Sequence, residues 1–454
     1  MAPQLQQQPE ARRLQRSQQR SQQRRSNFGL GLQYEIFNDL RALTEVVVLL
    51  SGVRFTRTHT MTVTEPHTAT TKLDVASLLS RRANAIDASG IRKVFDLAAH
   101  LKNPINLSIG QPDFPVPQVI KDAAIAAIQG DKNGYTPTQG CPELLHAIWT
   151  RLEHEFQWQR EPQHGLSVIA TSGTSGGLLL ALLCLLDEGD EAIIPDPYFV
   201  MYPAMGPLTA GKMVAVDTYP DFRLTAARIE RHITPRTKVV LLNSPGNPTG
   251  VVLNQQEISD IVDLCRAKNI LIMSDEIYDE FTFAEAREGG RFPSPASFTR
   301  DCLLVRGFGK TYGCTGWRLG YVAGPHELVQ AMARLQQFSY VCPPSMAQYG
   351  VAKAFDVDMQ PWVDRFEKRR DMMLDAFKGI AEVTRPGGAF YGFVEVPKRL
   401  GLTGTAFVEK AIANNVLIIP GKVFSARDTH FRISFAQKDE VLAEGLGILR
   451  GLMV

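Results

Sequence analysis

The sequence predicts an α/β fold: one large sheet of seven mostly parallel strands with helices on its faces, joined to a smaller α+β part. Two observations carry this expectation. Between residues 167 and 323, short apolar runs (167–170, 192–195, 213–216, 239–242, 271–274, 303–305 and 321–323) alternate with helical periodicity at 178–186, 226–233 and 258–268. That alternation is the pattern of strands joined by crossover helices. Segments rich in glycine, proline and serine follow several of these runs, and doubly wound sheets bind their ligands beyond such strand ends.

At 454 residues the chain has length for two or three units of ordinary domain size. Its charged fraction is 21% and its formal net charge is +2, so the charge balance does not point to nucleic acid. The six cysteines lack any CxxC spacing and the nine histidines form no HExxH pair. Neither a disulfide framework nor a metal site is signalled, and a reduced, cytoplasmic setting is expected. The apolar run at 46–50 is too short to span a bilayer, which predicts a soluble protein without membrane contact.

Residues 1–74 read as a disordered extension. Arg12, Arg13, Arg16, Arg20, Arg24 and Arg25 are interleaved with Gln and Ser, with Glu10 the only acid among them. Such a composition cannot bury a core. The favoured reading is that the functional protein begins near Met61 and that the upstream stretch is a disordered or non-native extension. An organelle transit peptide comes second and a basic interaction tail third.

Amphipathic helices are expected at 75–82 and 91–101, as the N-terminal part of a small domain (75–112). The stretch 107–117, LSIGQPDFPVP, is broken by prolines into a loop. Helices at 119–129 and 143–156 flank a second loop at 135–140, YTPTQG, and the large domain is placed at 113–344. Beyond it lie a long helix at 363–377, antiparallel strands within 387–396, strands at 416–419 and 431–435, and a helix from Lys438. These form the C-terminal part of the small domain, 345–454. No internal repeat is visible.

The most informative stretch is 306–324, RGFGKTYGCTGWRLGYVAG. Lys310 sits among Gly307, Gly309, Gly313, Gly316 and Gly320, which allow close approach of a bulky ligand. A lysine held there is a candidate Schiff-base nucleophile, and Arg318 has the fork of donors that suits a phosphate. A nucleotide P-loop is excluded, because Leu304 stands where that motif needs its first glycine. Residues 171–177, TSGTSGG, open a helix after a strand and could cradle a phosphate on backbone N–H groups. The same residues could also be plain N-capping.

The 306–324 stretch resembles the Schiff-base lysine segment of the class I/II aminotransferases, which are fold-type I pyridoxal-phosphate enzymes of the aspartate aminotransferase kind. TGWRLGY at 315–321 carries the likeness, and SPGNPTG at 244–250 and SDEIY at 274–278 extend it. The resemblance covers about residues 75–450. It implies a pyridoxal 5'-phosphate cofactor bound to Lys310 as a Schiff base. It assigns the cofactor's phosphate to Gly173, Thr174, Ser175 and Arg318, its ring face to Phe199, its 3-oxygen to Asn247 and Tyr278, and its ring nitrogen to Asp275. Arg432, in HFRISFA, is implied as the clamp on the substrate carboxylate, with Gly110 in the loop that closes over it and Asn247 beside it. Tyr135 is implied to reach the phosphate in a neighbouring subunit, which requires a homodimer with shared sites.

The chain departs from the family pattern at one place. Many relatives carry S-x-S-K before the lysine, whereas Gly307 and Gly309 stand there here, so the phosphate is expected to rely more on Arg318, Thr174 and Ser175. The implied reaction moves the amino group of an L-amino acid to a 2-oxo acid, with Lys310 as proton carrier and Asp275 and Tyr278 assisting. A carbon–sulfur β-lyase or an aminocyclopropane-carboxylate-synthase-like enzyme would use the same residues. A more distant rival is a regulator that senses pyridoxal phosphate, for which the N-terminal stretch offers no helix-turn-helix periodicity.

Overall fold

The short strand β1 (Ile105–Asn106) precedes seven that form one sheet: β2 (Leu166–Thr171), β3 (Glu191–Asp196), β4 (Lys212–Asp217), β5 (Thr237–Asn243), β6 (Leu271–Asp275), β7 (Cys302–Gly307) and β8 (Gly320–Pro325). The computed structural model describes residues 73–87, 90, 101–160 and 165–454. Ala76–Val454 form one unit and Met1–Val75 another. Most of the Gln/Arg-rich extension and most of the helix expected over 91–101 lie outside the described residues.

The sheet order is β2-β8-β7-β6-β5-β3-β4. Six strands share one direction, and β8 runs antiparallel to both of its neighbours, β2 and β7. All seven expected strands are present, and the α/β class is borne out. The strands read as continuous apolar runs because both faces are covered. Val240 and Leu242 enter one core with Ile193, Ile272 and Leu304, while Val239 and Leu241 enter the other with Ile194, Met273 and Leu303. Alternation along an extended chain sends neighbours to opposite faces. Each fully buried Val, Leu or Ile contributes roughly 1.5–3 kcal/mol relative to exposure.

Besides β1, four further strands of the described residues lie outside this sheet: β9 (Tyr391–Glu395), β10 (Val416–Leu417), β11 (Ile419–Pro420) and β12 (His430–Ser434). The last two and β9 form an antiparallel sheet in the order β11-β12-β9, and β10 pairs in parallel with β1. The run at 416–419, expected as one strand, is thus divided between two sheets.

Other expectations need correction. The segment 75–82 is a 3-10 turn (Val75–Leu78) followed by a four-residue helix (Arg81–Asn84), and neither buries a residue, so it is no amphipathic helix. Within 387–396 there is one strand rather than a pair. Five further α-helices among the described residues lack a counterpart in the expected elements: Tyr202–Thr209, Phe308–Thr311, His326–Gln337, Ser345–Val351 and Gly404–Ala413. In the first, Gly206 and Pro207 look like breakers, yet the helix is only eight residues long. The helix expected at 178–186 begins at Gly173, inside the candidate phosphate loop.

Candidate active site

Strand register aligns the chemistry along one edge of the large sheet. Asn243 of β5 lies opposite Asp275 of β6, Gly307 of β7 opposite Gly320 of β8, and Gly320 opposite Thr171 of β2. The loops leaving these ends surround a cavity of about 280 Å³. Of the residues singled out in the sequence, Gly110, Gly173, Thr174, Ser175, Phe199, Asn247, Asp275, Tyr278, Lys310, Arg318 and Arg432 all line it. Tyr135 does not; it is 87% exposed.

One end of the cavity is built for an anion. The helix Gly173–Leu185 starts there, and its first turn has no side-chain cap, so its N–H groups remain available beside the positive end of the helix dipole. Gly173 has φ +67°, and a Cβ on it would stand 2.7 Å from Arg318 Nη2. The missing side chain is what lets the guanidinium lie against the loop. Gly320 is equally constrained, since a Cβ would meet Gly173 C at 2.7 Å and Thr174 N at 2.8 Å. A Cβ at Gly307 would meet Ile277 Cδ1 at 2.7 Å and Thr174 Cγ2 at 3.0 Å, whereas at Gly309 its nearest neighbour is Thr315 Cα at 3.3 Å.

Lys310 and Asp275 also line the cavity. Half-buried Lys310 donates from Nζ to the Gly110 carbonyl. Burial, together with Arg432 and Arg318, brings its amine down to about 8 against the pull of Asp275. Asp275 is 3% exposed, and burial pushes its carboxyl up to about 6 although Tyr202 and the Ile277 amide donate to it. Tyr202 Oη donates to Asp275 Oδ2 at 2.8 Å, and Ile277 N approaches Oδ1 at 3.4 Å.

Arg432 lines the same cavity. It is 2% exposed and lies over the rings of Tyr391, at 4.5 Å, and Phe424, at 4.7 Å. Its Nη1 donates to Asn247 Oδ1 at 3.0 Å and its Nη2 to the Ser108 carbonyl at 2.7 Å, while Nε has no partner. No carboxylate of the described residues pairs with it. Burial lowers its pKa from the ordinary guanidinium value, opposed by Tyr391 and Tyr278.

Three functional neighbours escape sequence reasoning. Tyr391 shares a hydroxyl contact of 3.0 Å with Tyr278, and its hydroxyl would lie 2.4 Å from a Cβ at Gly110. Asn243 accepts from Asn247 N at 2.9 Å and donates to the Asp275 carbonyl at 3.4 Å, which ties the Asn-Pro turn to β6. Tyr202 is the third. Asn243 could have been found, because it stands between the predicted strand 239–242 and SPGNPTG; the two tyrosines carry no local signal.

Comparison with known proteins defines the class. The family model for aminotransferase class I and II matches residues 102–449. A probable aspartate aminotransferase of Methanocaldococcus jannaschii is 35% identical over 383 residues, covering 82% of this chain and 99% of that protein. An aromatic-amino-acid aminotransferase of Thermococcus litoralis is 34% identical over 379 residues, covering 81% and 96%. The solved aspartate aminotransferase of Thermus thermophilus with maleate superposes with a TM-score of 0.76 at 31% identity, covering 82% of this chain and 99% of that one. The chain belongs to the class I and II aminotransferases. It is a pyridoxal-phosphate-dependent enzyme that transfers an amino group between an amino acid and a 2-oxo acid.

The residues present fit that cofactor. The uncapped helix start with Arg318 suits a phosphate, the buried Asp275 carboxylate suits a protonated ring nitrogen, and Lys310 lines the same cavity within the field of both Arg318 and Asp275. No helix among the described residues is long and apolar enough to cross a membrane, and no cluster of metal-ligating side chains occurs among them.

Proposed function

We propose that Lys310, Asp275 and Arg432 carry the amino transfer, and that the buried guanidinium of Arg432, without a carboxylate partner among the described residues, is the observation on which the reading rests. An arginine this deep without a carboxylate partner is costly unless an anion joins it. The substrate α-carboxylate supplies that anion, opposite Asn247 and under the Gly110 loop. When bound, pyridoxal phosphate supplies a carbonyl carbon that an amine can attack and a ring that spreads the electron pair left at Cα. Lys310 Nζ holds the cofactor and, once displaced by substrate, is the base that takes the Cα proton and returns it. Asp275 keeps the ring nitrogen's proton in place; Tyr278 and Asn247 donate to the ring oxygen; Phe199 covers the ring face. Gly173, Thr174, Ser175 and Arg318 hold the phosphate. By fixing the carboxylate, Arg432 aligns the Cα–H bond for transfer.

The reading extends to assembly and setting. The 87% exposure of Tyr135 supports its reaching the phosphate of a second copy in a homodimer. Six free cysteines, four of them buried, support a reduced, cytoplasmic compartment. A large domain over 113–344 and a small one from 75–112 plus 345–454 would place Arg432 on the small side of the cavity and Lys310 on the large side.

The test is a half-reaction with purified protein, adding single amino acids without an oxo-acid acceptor. Stoichiometric loss of the aldehyde-form absorbance with release of one 2-oxo acid is expected. Lys310→Ala should lose both the covalent cofactor band and turnover. Retained turnover in that variant would sink the assignment of Lys310.

A further inference from the structure

Tyr202 touches two of the groups assigned to the cofactor ring, Asp275 and Phe199. It is fully buried at the start of the helix Tyr202–Thr209, reached from the carboxyl end of β3. Its hydroxyl donates to Asp275 Oδ2 at 2.8 Å, its ring meets Phe199 edge-to-face at 5.7 Å, and its backbone N–H donates to the Phe199 carbonyl at 2.9 Å. We propose that Tyr202 is a positioning residue that keeps Asp275 ionised and turns its free oxygen toward the cofactor's ring nitrogen, an inference that rests on the reading of Asp275 above.

The chemistry demands such a partner. A carboxylate removed from water favours its neutral form, and a neutral acid no longer stabilises a protonated ring nitrogen. The groups facing Asp275 divide in their effect: Glu276 repels the negative charge, whereas Lys310, Tyr202 and the Ile277 amide favour it. Tyr278 also lies within its field. Among the hydrogen bonds, that from Tyr202 is the short one, at 2.8 Å against 3.4 Å for Ile277 N. Burial and the neighbouring carboxylate raise the Tyr202 phenol well above its ordinary value, so it stays protonated and donates. With Oδ2 engaged, Oδ1 carries only the long Ile277 contact and is the oxygen left for the ring.

Tyr202→Phe removes the hydroxyl and keeps the ring against Phe199. The measurement is the affinity of the cofactor-free protein for pyridoxal phosphate and for its carbocyclic analogue, in which C–H replaces the ring nitrogen. Wild type should prefer the true cofactor. In Tyr202→Phe its affinity should fall roughly tenfold, the scale of a hydrogen bond to a charged group, with the analogue unaffected. Equal weakening for both ligands would mean a purely structural tyrosine and overturn the proposal. A wild type that does not discriminate between them would instead overturn the reading of Asp275 itself. Should Tyr202→Phe fail to fold, 3-fluorotyrosine placed at 202 is a stronger donor of the same shape. It should widen the preference, and an unchanged or narrowed preference would overturn the proposal.

Discussion

Arg432 and Lys310 are coupled through charge, and both can be tested singly. Arg432→Ala removes the donors proposed for the substrate carboxylate and leaves Asn247 Oδ1 and the Ser108 carbonyl without their donor. A fall in kcat/KM of roughly a hundredfold or more is expected, the scale for truncating one partner of a buried charge pair. Steady-state kinetics with any accepted amino acid measures it. The second expectation concerns pH. Protonated Lys310 has no lone pair, so it cannot attack the cofactor's carbonyl carbon. Burial first, then Arg432 and Arg318, depress the amine to about 8. The rate of cofactor loading onto the cofactor-free protein should therefore rise with pH and level off above about 8. A lysine at the ordinary value of 10.5 would keep rising well beyond that. In Arg432→Ala one depressing cation is gone, and the midpoint should move upward. A profile unchanged by that substitution would separate the two residues.

At the scale of elements, the site depends on backbones that touch. Gly320, the first residue of β8, passes so close to the phosphate loop that a Cβ would meet three backbone atoms: Gly173 C, Arg306 O and Thr174 N, each within 2.8 Å. No side chain can move aside there. Gly320→Ala should cost about 1–3 kcal/mol of stability, as overpacking does, and should weaken cofactor binding as the loop is displaced. Thermal unfolding with and without cofactor measures both effects; an unchanged midpoint with tight binding would contradict the packing described. This close approach also marks the limit of the sequence. TSGTSGG and TGWRLGY are separately readable as loops, because glycine, serine and turn chemistry are local properties. Their contact through Gly173, Arg318 and Gly320 becomes visible only when antiparallel β8 is inserted between β2 and β7. The strands were legible because both faces of the inner strands are buried and the runs are mostly apolar, although Ser167 and Ser274 interrupt two of them and the edge strand β4 is partly exposed. The helices Tyr202–Thr209 and Ser345–Val351 were not, since each is short and contains glycine. Tyr391 and Tyr202 carry no signal of their own: the one meets Tyr278 across 113 residues and the other meets Asp275 across 73.

At the scale of the whole molecule, the decisive question is whether one chain completes its own site. Eleven of the residues singled out in the sequence surround the cavity, whereas Tyr135 projects 87% exposed from a Pro/Gly loop. Phe338 is exposed to 89% and Val341 to 37%, in the segment whose Tyr340 hydroxyl accepts from Ser172 N at the phosphate loop. A second copy related by a two-fold axis would cover such residues in pairs, each chain giving what it receives. Complementation tests this directly. On the proposed roles, Lys310→Ala subunits would lack the base, and Tyr135→Ala subunits would lack the donated phosphate contact. A hybrid dimer of the two has one site with both defects and one with neither. If subunits mix at random, roughly a quarter of wild-type activity should return after co-refolding the inactive Lys310→Ala protein with the impaired Tyr135→Ala protein. That level should exceed the sum of the two measured apart. Activity no greater than that sum, with hybrid dimers present by mass, would mean that Tyr135 serves its own chain or no site at all.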